Sequence, residues 1–396
     1  MHMPSDPRTG SRDVPVPEVD AGPPVSHSAR VRSILGPLLA GALASCGTTS
    51  APRSLPDGGG HKGGPVDASV GDGTTHADAH GCSALGAADA AFEASAPPHG
   101  DRLLFVGDSF TSVNNLPGTF LSMVKEWAPV TTPPYVDSYT VGGETLAEDL
   151  TEVDDAGADA SLRRLLVGGG GTGPAHWTDV MLQEQSEVPG FPLCGNPERE
   201  ASMAAVVQLS KDAVAAGATP TLVMTWGYRD GDSVNPTLYP NFLTMEGLLE
   251  TGYRAMAQAV AHAGYRVLIA PVGPAFKAVY DGDIRAGRMP TASTSIFFSL
   301  YESDGKHPAP PATYLMALVL MSTLYGVDPG AVCANPEALT PDVQKALLEA
   351  ARTAVVAERA YDAADDFGVD AGDNCPCCPV CGNGAPACCH VSPCPP

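Results

Sequence analysis

The sequence predicts an α/β fold: a three-layer α/β/α sandwich around a central parallel sheet of about five strands. Two observations lead there. Short apolar runs alternate with longer helical patterns across residues 103–271, and strand–helix alternation of this kind builds a parallel sheet with helices on both faces. Three segments rich in chemistry, around Ser109, Gly143 and Gln185, each follow a different strand candidate. An open parallel sheet would bring them to one edge, where such folds place their ligands.

Taken in order, Leu103-Leu104-Phe105-Val106 has the length and β-character of a buried strand. A helical pattern follows over 116–127, then strand candidates over 135–139 and 180–182. Residues 198–216 read as a helix, 221–225 as the fourth strand, 243–263 as a helix and 266–271 as the fifth strand. Met245, Leu248, Leu249, Tyr253 and Met256 read as core contacts of a helix, not as a cofactor box. Pro308, Pro310 and Pro311 precede the apolar stretch 312–320, and prolines in that position mark where a helix begins.

The first strand runs directly into Gly107-Asp108-Ser109-Phe110-Thr111. A turn there holds a serine hydroxyl on the rim of the sheet. A second Gly-Asp-Ser triplet, Gly231-Asp232-Ser233, lies in a polar loop with no strand directly feeding it, so context favours Ser109 as the nucleophile. His99, His176, His262 and His307 lie between the low-complexity N-terminal region and the cysteine-rich end. Of these, only His307 has an aspartate three residues earlier, Asp304. A carboxylate so placed accepts a hydrogen bond from imidazole Nδ1 and frees Nε2 to take the serine proton.

These blocks resemble those of the SGNH/GDSL-type hydrolases, with the serine block near the start of the domain and the Asp-x-x-His block near its end. The similarity is strongest to a branch with a Gly-(Asn/Asp)-Ser-(Phe/Tyr)-Thr start, a Leu-Gln-Glu-Gln-Ser middle and an Asp-Gly-x-His-Pro end. Here those are residues 106–115, 182–186 and 304–308, and the resemblance covers roughly residues 100–330. It implies a flavodoxin-like SGNH hydrolase fold, with Ser109, Asp304 and His307 as catalytic residues and no cofactor or metal. A rival α/β-hydrolase would carry a Gly-x-Ser-x-Gly elbow, and no such pentapeptide occurs.

The resemblance also implies an oxyanion hole built from the nucleophile's N–H, a glycine N–H and an asparagine side chain. Ser109 supplies the first. In Val141-Gly142-Gly143-Glu144-Thr145 the better match for the second is Gly143, with Gly142 as its neighbour and a simple turn as the plainer reading. The third block departs from the family pattern, because Gln183-Glu184-Gln185-Ser186 stands where Gly-x-Asn-Asp is expected. Aligning the strand end puts Gln185 at the asparagine position; a shift of two residues would make Gln183 the donor. Either amide is chemically able to donate.

Outside the catalytic domain, expected over 99–365, the chain reads differently. Residues 1–45 contain Arg30 and Arg32 before a short apolar core ending in Leu43-Ala44-Ser45-Cys46, which is the layout of an export signal. The ending resembles the bacterial lipobox and implies lipidation at Cys46 and a membrane anchor. A plain secretory signal is the alternative, and the long polar stretch before Arg30 suggests an over-extended start. Residues 46–98 read as a low-complexity tether too poor in apolar side chains to fold. Gly168-Gly169-Gly170-Gly171-Thr172-Gly173 lacks the Lys-Ser/Thr ending of a phosphate loop. Of 11 cysteines, seven crowd residues 366–396, which suits a disulfide-stapled tail in an exported protein, with metal binding as the lesser reading. Cys194 and Cys333 are able to pair within the domain.

Lys and Arg total 22 against 45 Asp and Glu, a net charge of −23. That balance argues against nucleic acid or an anionic lipid surface as a direct partner. The expected function is an exported serine esterase removing acyl, often acetyl, groups from carbohydrate or another small ester. A surface lipoprotein that binds glycan without turnover is the alternative, and Trp226 and Tyr228 at the sheet edge offer either a sugar platform or core lining.

Overall fold

The computed structural model describes residue 92 and residues 100–128, 132–154, 161–167, 176–193 and 195–364, all within the unit Thr74–Pro396. The expectations for Cys46, Cys194, the glycine run at 168–173, the tail 366–396 and the tether other than Phe92 lie outside the described residues. Phe92 itself is buried against the core, with the Arg359 guanidinium 4.5 Å over its ring. Cys333 is the one cysteine among the described residues, and it is disulfide-bonded.

Five parallel strands form one sheet in the order β2-β1-β3-β4-β5: β1 Arg102–Gly107, β2 Tyr135–Thr140, β3 Asp179–Leu182, β4 Thr219–Val223 and β5 Leu268–Ala270. Apolar side chains on both faces of a strand explain this. Leu103 and Phe105 join one core cluster, while Leu104 and Val106 join another, as the two-residue period of a strand requires. All four are at most 1% exposed. Truncating Phe105, which meets Phe120 edge-on at 5.8 Å, would cost about 3–5 kcal/mol on the usual scale for a buried aromatic. β2 is the exposed edge, and its Asp137 and Ser138 keep that edge polar.

The helices complete the two outer layers. On the face of Leu103 and Phe105 lie α2 (Leu116–Trp127), α7 (Val272–Arg285), α8 (Pro310–Tyr325) and α9 (Pro341–Ala364). On the face of Leu104 and Val106 lie α3 (Leu146–Asp154), α4 (Ser161–Leu166) and α5 (Pro197–Ala215). The remaining long helix, α6 (Phe242–His262), borders both: Met245 and Leu249 enter the first cluster, Tyr253 and Met256 the second. Pro310 and Pro311 occupy the first turn of α8, where a missing N–H costs nothing. Thr145 and Glu148 cap α3 reciprocally, each side chain accepting the other's backbone N–H.

In this order the connections leaving β1 and β3 run in opposite directions along the sheet, which makes the carboxyl ends of those strands a topological switch point. β1 delivers Ser109 there, in a one-turn helix α1 (Ser109–Ser112), and β3 delivers Gln183 to Ser186.

Candidate active site

The Ser109 turn is fixed by its own side chains. Asp108 caps α1, accepting the Phe110 N–H at 2.8 Å, while the N–H groups of Thr111 and Ser112 go to the Asp108 carbonyl. The first turn of a helix leaves its amides without intrahelical partners. Among the described residues only the Ser109 N–H of this turn then donates no hydrogen bond. It is thereby available to an incoming anion. Gln183 locks the turn from the neighbouring strand end. Its Oε1 accepts from Asp108 N–H at 3.1 Å and Thr111 Oγ1 at 2.8 Å, and its Nε2 donates to Asp108 Oδ1 at 2.8 Å and the Glu184 carbonyl at 2.7 Å. Gly107 leaves room for this side chain: a Cβ there would stand 2.6 Å from Gln183 Oε1.

The second strand of chemistry arrives from 198 residues away. His307 Nε2 lies 2.9 Å from Ser109 Oγ, and His307 Nδ1 lies 2.5 Å from Asp304 Oδ2. The Asp304 Oδ1 accepts the backbone N–H groups of Lys306 and His307. Burial pushes the Asp304 carboxyl up, but the hydrogen bonds from the His307 ring and from those two amides prevail and hold it below the usual aspartate range. Asp304 is therefore a carboxylate at neutral pH.

The loop after β4 braces this turn. Trp226 Nε1 donates to the Lys306 carbonyl at 3.1 Å, and Arg229 N–H to the Gly305 carbonyl at 2.9 Å. Lys306 Nζ lies 3.4 Å from Asp232 and 4.3 Å over the Tyr228 ring. Asp232, of the second Gly-Asp-Ser triplet, is thus a turn and bracing residue, while Ser233 is exposed. Trp226 is fully buried, sandwiched between Phe110 at 4.4 Å and Phe276 at 4.5 Å with near-parallel planes. With both ring faces covered, it offers no platform to a sugar. Tyr228 is also buried, its hydroxyl 2.7 Å from Ser186 Oγ.

The glycine block separates its two candidates. Gly143 has φ +80, a conformation that suits glycine, and a Cβ there would meet no atom within 4 Å. Gly142 is equally open but lacks the positive φ. In the third block, both N–H bonds of the Gln183 amide are consumed, so Gln183 is not the oxyanion donor. Gln185 is half-buried; its Oε1 accepts the Glu187 N–H at 3.1 Å, and its Nε2 donates to no described residue.

Sequence reasoning missed two residues at this edge. Asn114 has φ 57 and Asn115 φ 54, consecutive left-handed residues that asparagine tolerates better than most side chains. Asn115 caps α2, while Asn114 Nδ2 donates to the Pro308 carbonyl at 2.7 Å, tying the serine block to the histidine block. The Asn-Asn pair before Leu116-Pro117 was the available signal. Glu184, fully buried, is the other. It accepts from Leu146 N–H, Gln185 N–H and Ser202 Oγ.

Carboxyl burial sets the electrostatics. Burial pushes Asp108 up to about 6 against opposing hydrogen bonds from Phe110 and Gln183, and Glu184 up to about 7 against those from Ser202, Leu146 and Gln185. Asp149, on α3 beside the glycine block, is pushed to about 9 by burial and by the neighbouring Glu144. Among the described residues no group of three or more His, Cys, Asp or Glu is placed to hold a metal ion.

No protein-family model and no curated protein matches the chain. Among solved structures it is similar to a protein from Slackia heliotrinireducens provisionally described as an SGNH hydrolase, at 27% identity over 57% of this chain and 100% of that one, with a TM-score of 0.41. It is also similar to a DUF4886 family protein from Bacteroides uniformis, at 16% identity over 65% of this chain and 95% of that one, TM-score 0.49. A third is a catalytic mutant of an acetylxylan esterase from Geobacillus stearothermophilus, at 12% identity over 58% and 96%, TM-score 0.39.

Proposed function

We infer that this chain is a serine ester hydrolase of the SGNH superfamily. One observation carries the reading: Ser109 Oγ, His307 Nε2, His307 Nδ1 and Asp304 Oδ2 form one hydrogen-bonded line at the switch point of the sheet, with separations of 2.9 and 2.5 Å. In this reading His307 Nε2 takes the Ser109 proton as Oγ attacks the ester carbonyl carbon. Asp304 accepts from Nδ1–H, fixing the tautomer and stabilising the imidazolium. The oxyanion meets the Ser109 N–H, the Gly143 N–H and the Gln185 amide. His307 then protonates the departing alcohol, and water, deprotonated by the same imidazole, releases the acid from Ser109.

The substrate class we propose is a small acyl ester, with acetylated carbohydrate the leading member. The test is labelling by a serine-directed phosphonate together with hydrolysis of p-nitrophenyl acetate. Both should vanish in Ser109→Ala and persist in Ser233→Ala. Labelling that survives loss of the Ser109 hydroxyl would remove the nucleophile from this reading. We further propose that the protein is exported and held at the cell envelope by a lipid on Cys46, as Leu43-Ala44-Ser45-Cys46 supports. Cys46→Ser should then yield an unlipidated product or an uncleaved precursor. A wild-type protein with no added mass at its N-terminus would exclude it.

A further inference from the structure

We propose that Glu184 is a positioning residue of the oxyanion hole, a single buried carboxylate that sets the separation between the glycine block and the Gln185 block. The inference rests on the ester-hydrolase reading and adds a residue to it. Glu184 Oε1 accepts two backbone N–H groups at once: Leu146 at 3.0 Å, in the first turn of α3, and Gln185 at 2.8 Å, on the loop leaving β3. Gly143 lies three residues before Leu146, and Thr145 between them is fixed by its reciprocal cap with Glu148. One oxygen atom therefore joins the two segments that carry two of the three candidate oxyanion donors.

The rest of the residue is arranged to keep that atom still. Ser202 Oγ, from α5, donates to Oε2. The Glu184 N–H donates to the Tyr253 hydroxyl at 3.2 Å, from α6, and the Glu184 carbonyl accepts Gln183 Nε2 at 2.7 Å. Every polar group of Glu184 is occupied, and the side chain is 0% exposed. A packing residue at this position would need no charge, since an apolar side chain avoids the cost of desolvating a carboxylate. The carboxylate instead sits on a buried helix-start amide and a loop amide, both of which an apolar side chain would leave unpaired. Misplacing reacting groups by about 1 Å costs on the order of a hundredfold in rate, so a joint of this kind bears on turnover.

Three variants separate the role. Glu184→Gln retains an oxygen for Leu146 and Gln185, and the Ser202 hydroxyl turns to accept from the new NH₂; its kcat should stay within a few-fold of wild type. Glu184→Asp is too short to reach both amides, and Glu184→Ala offers neither an acceptor. Both should lower kcat on p-nitrophenyl acetate by about a hundredfold with KM little changed. Amide hydrogen exchange at Leu146 and Gln185 should be slow in wild type and Glu184→Gln and fast in the other two. If Glu184→Ala does not fold, Glu184→Asp carries the comparison. Fast exchange with an unchanged kcat in a folded variant overturns the positioning role and leaves the esterase reading standing. A wild-type protein with no Ser109-dependent turnover overturns both.

Discussion

Gln183 grips Asp108 at both ends of one amide: Nε2 donates to the Asp108 carboxylate at 2.8 Å while Oε1 accepts the Asp108 backbone N–H at 3.1 Å. The residue before Ser109 is thus held in register with the end of the adjacent strand. Burial pushes the Asp108 carboxyl up to about 6 even against the hydrogen bonds from the Phe110 amide and the Gln183 amide.

Gln183→Ala should therefore act first on stability. It strips partners from the Asp108 N–H, the Asp108 carboxylate, the Thr111 hydroxyl and the Glu184 carbonyl, all in buried surroundings. Each unsatisfied group costs about 1–3 kcal/mol, so urea unfolding should show a loss of several kcal/mol. Gly107→Ala should do similar damage by driving a methyl to 2.6 Å from Gln183 Oε1. A wild-type midpoint in both variants would show that the turn holds itself.

Gln185→Ala should act on the rate instead. If its free Nε2 meets the developing oxyanion, truncation should raise the barrier by roughly 2–4 kcal/mol, with KM nearly unchanged. Thermal stability should barely move, since the side chain makes one described hydrogen bond, from the Glu187 N–H. A silent Gln185→Ala would leave the hole with backbone donors only.

The sheet and the Asp304–His307 pair were legible because both rest on local chemistry. Leu103-Leu104-Phe105-Val106 is apolar on both faces, and Asp304 is close enough to His307 that a single loop brings them together. The ends of strands were less legible: β4 begins at Thr219 despite Pro220, which pairs with Val180, and β5 shortens to Leu268–Ala270. What the sequence hid is non-local. The Gln183 amide seemed able to serve as an oxyanion donor until the Asp108 carboxylate, 75 residues away, and the adjacent Glu184 carbonyl accounted for both of its N–H bonds. Asn114 meets the Pro308 carbonyl across 194 residues of chain. Trp226 at a sheet edge resembles a sugar platform until Phe110 and Phe276 cover its faces.

Asp304→Asn should depress kcat by roughly a hundredfold to ten-thousandfold, because an amide NH₂ facing Nδ1 selects the wrong tautomer. The lower part of that range is expected, since Asp304 is 44% exposed and water can partly substitute. Asp304, held below the usual aspartate range, stays ionised until lower pH. Its hydrogen bonds therefore stabilise the loop throughout the neutral range, and that contribution is lost as pH falls through the folded-state value. An Asp304→Asn enzyme with full kcat would reduce Asp304 to a turn residue.

The buried carboxyl beside the glycine block predicts the opposite pH trend. Burial, then the charge of Glu144, then that of Glu184 push Asp149 up to about 9 from 3.8. Between those values the folded protein keeps a proton on Asp149 that the unfolded chain releases. Raising the pH therefore favours the unfolded chain: the stability present below the unfolded value declines by about 1.4 kcal/mol per pH unit. The decline ends once the folded group itself ionises, near pH 9. Asp149→Asn keeps the shape and stays neutral. It should therefore raise the thermal midpoint, and the gain over wild type should widen from pH 5 to pH 9. The difference between the two proteins also cancels the general repulsion of a chain with net charge −23. A constant or shrinking gap across that range would mean that Asp149 is ionised in the fold, with a cation or water supplying the charge compensation.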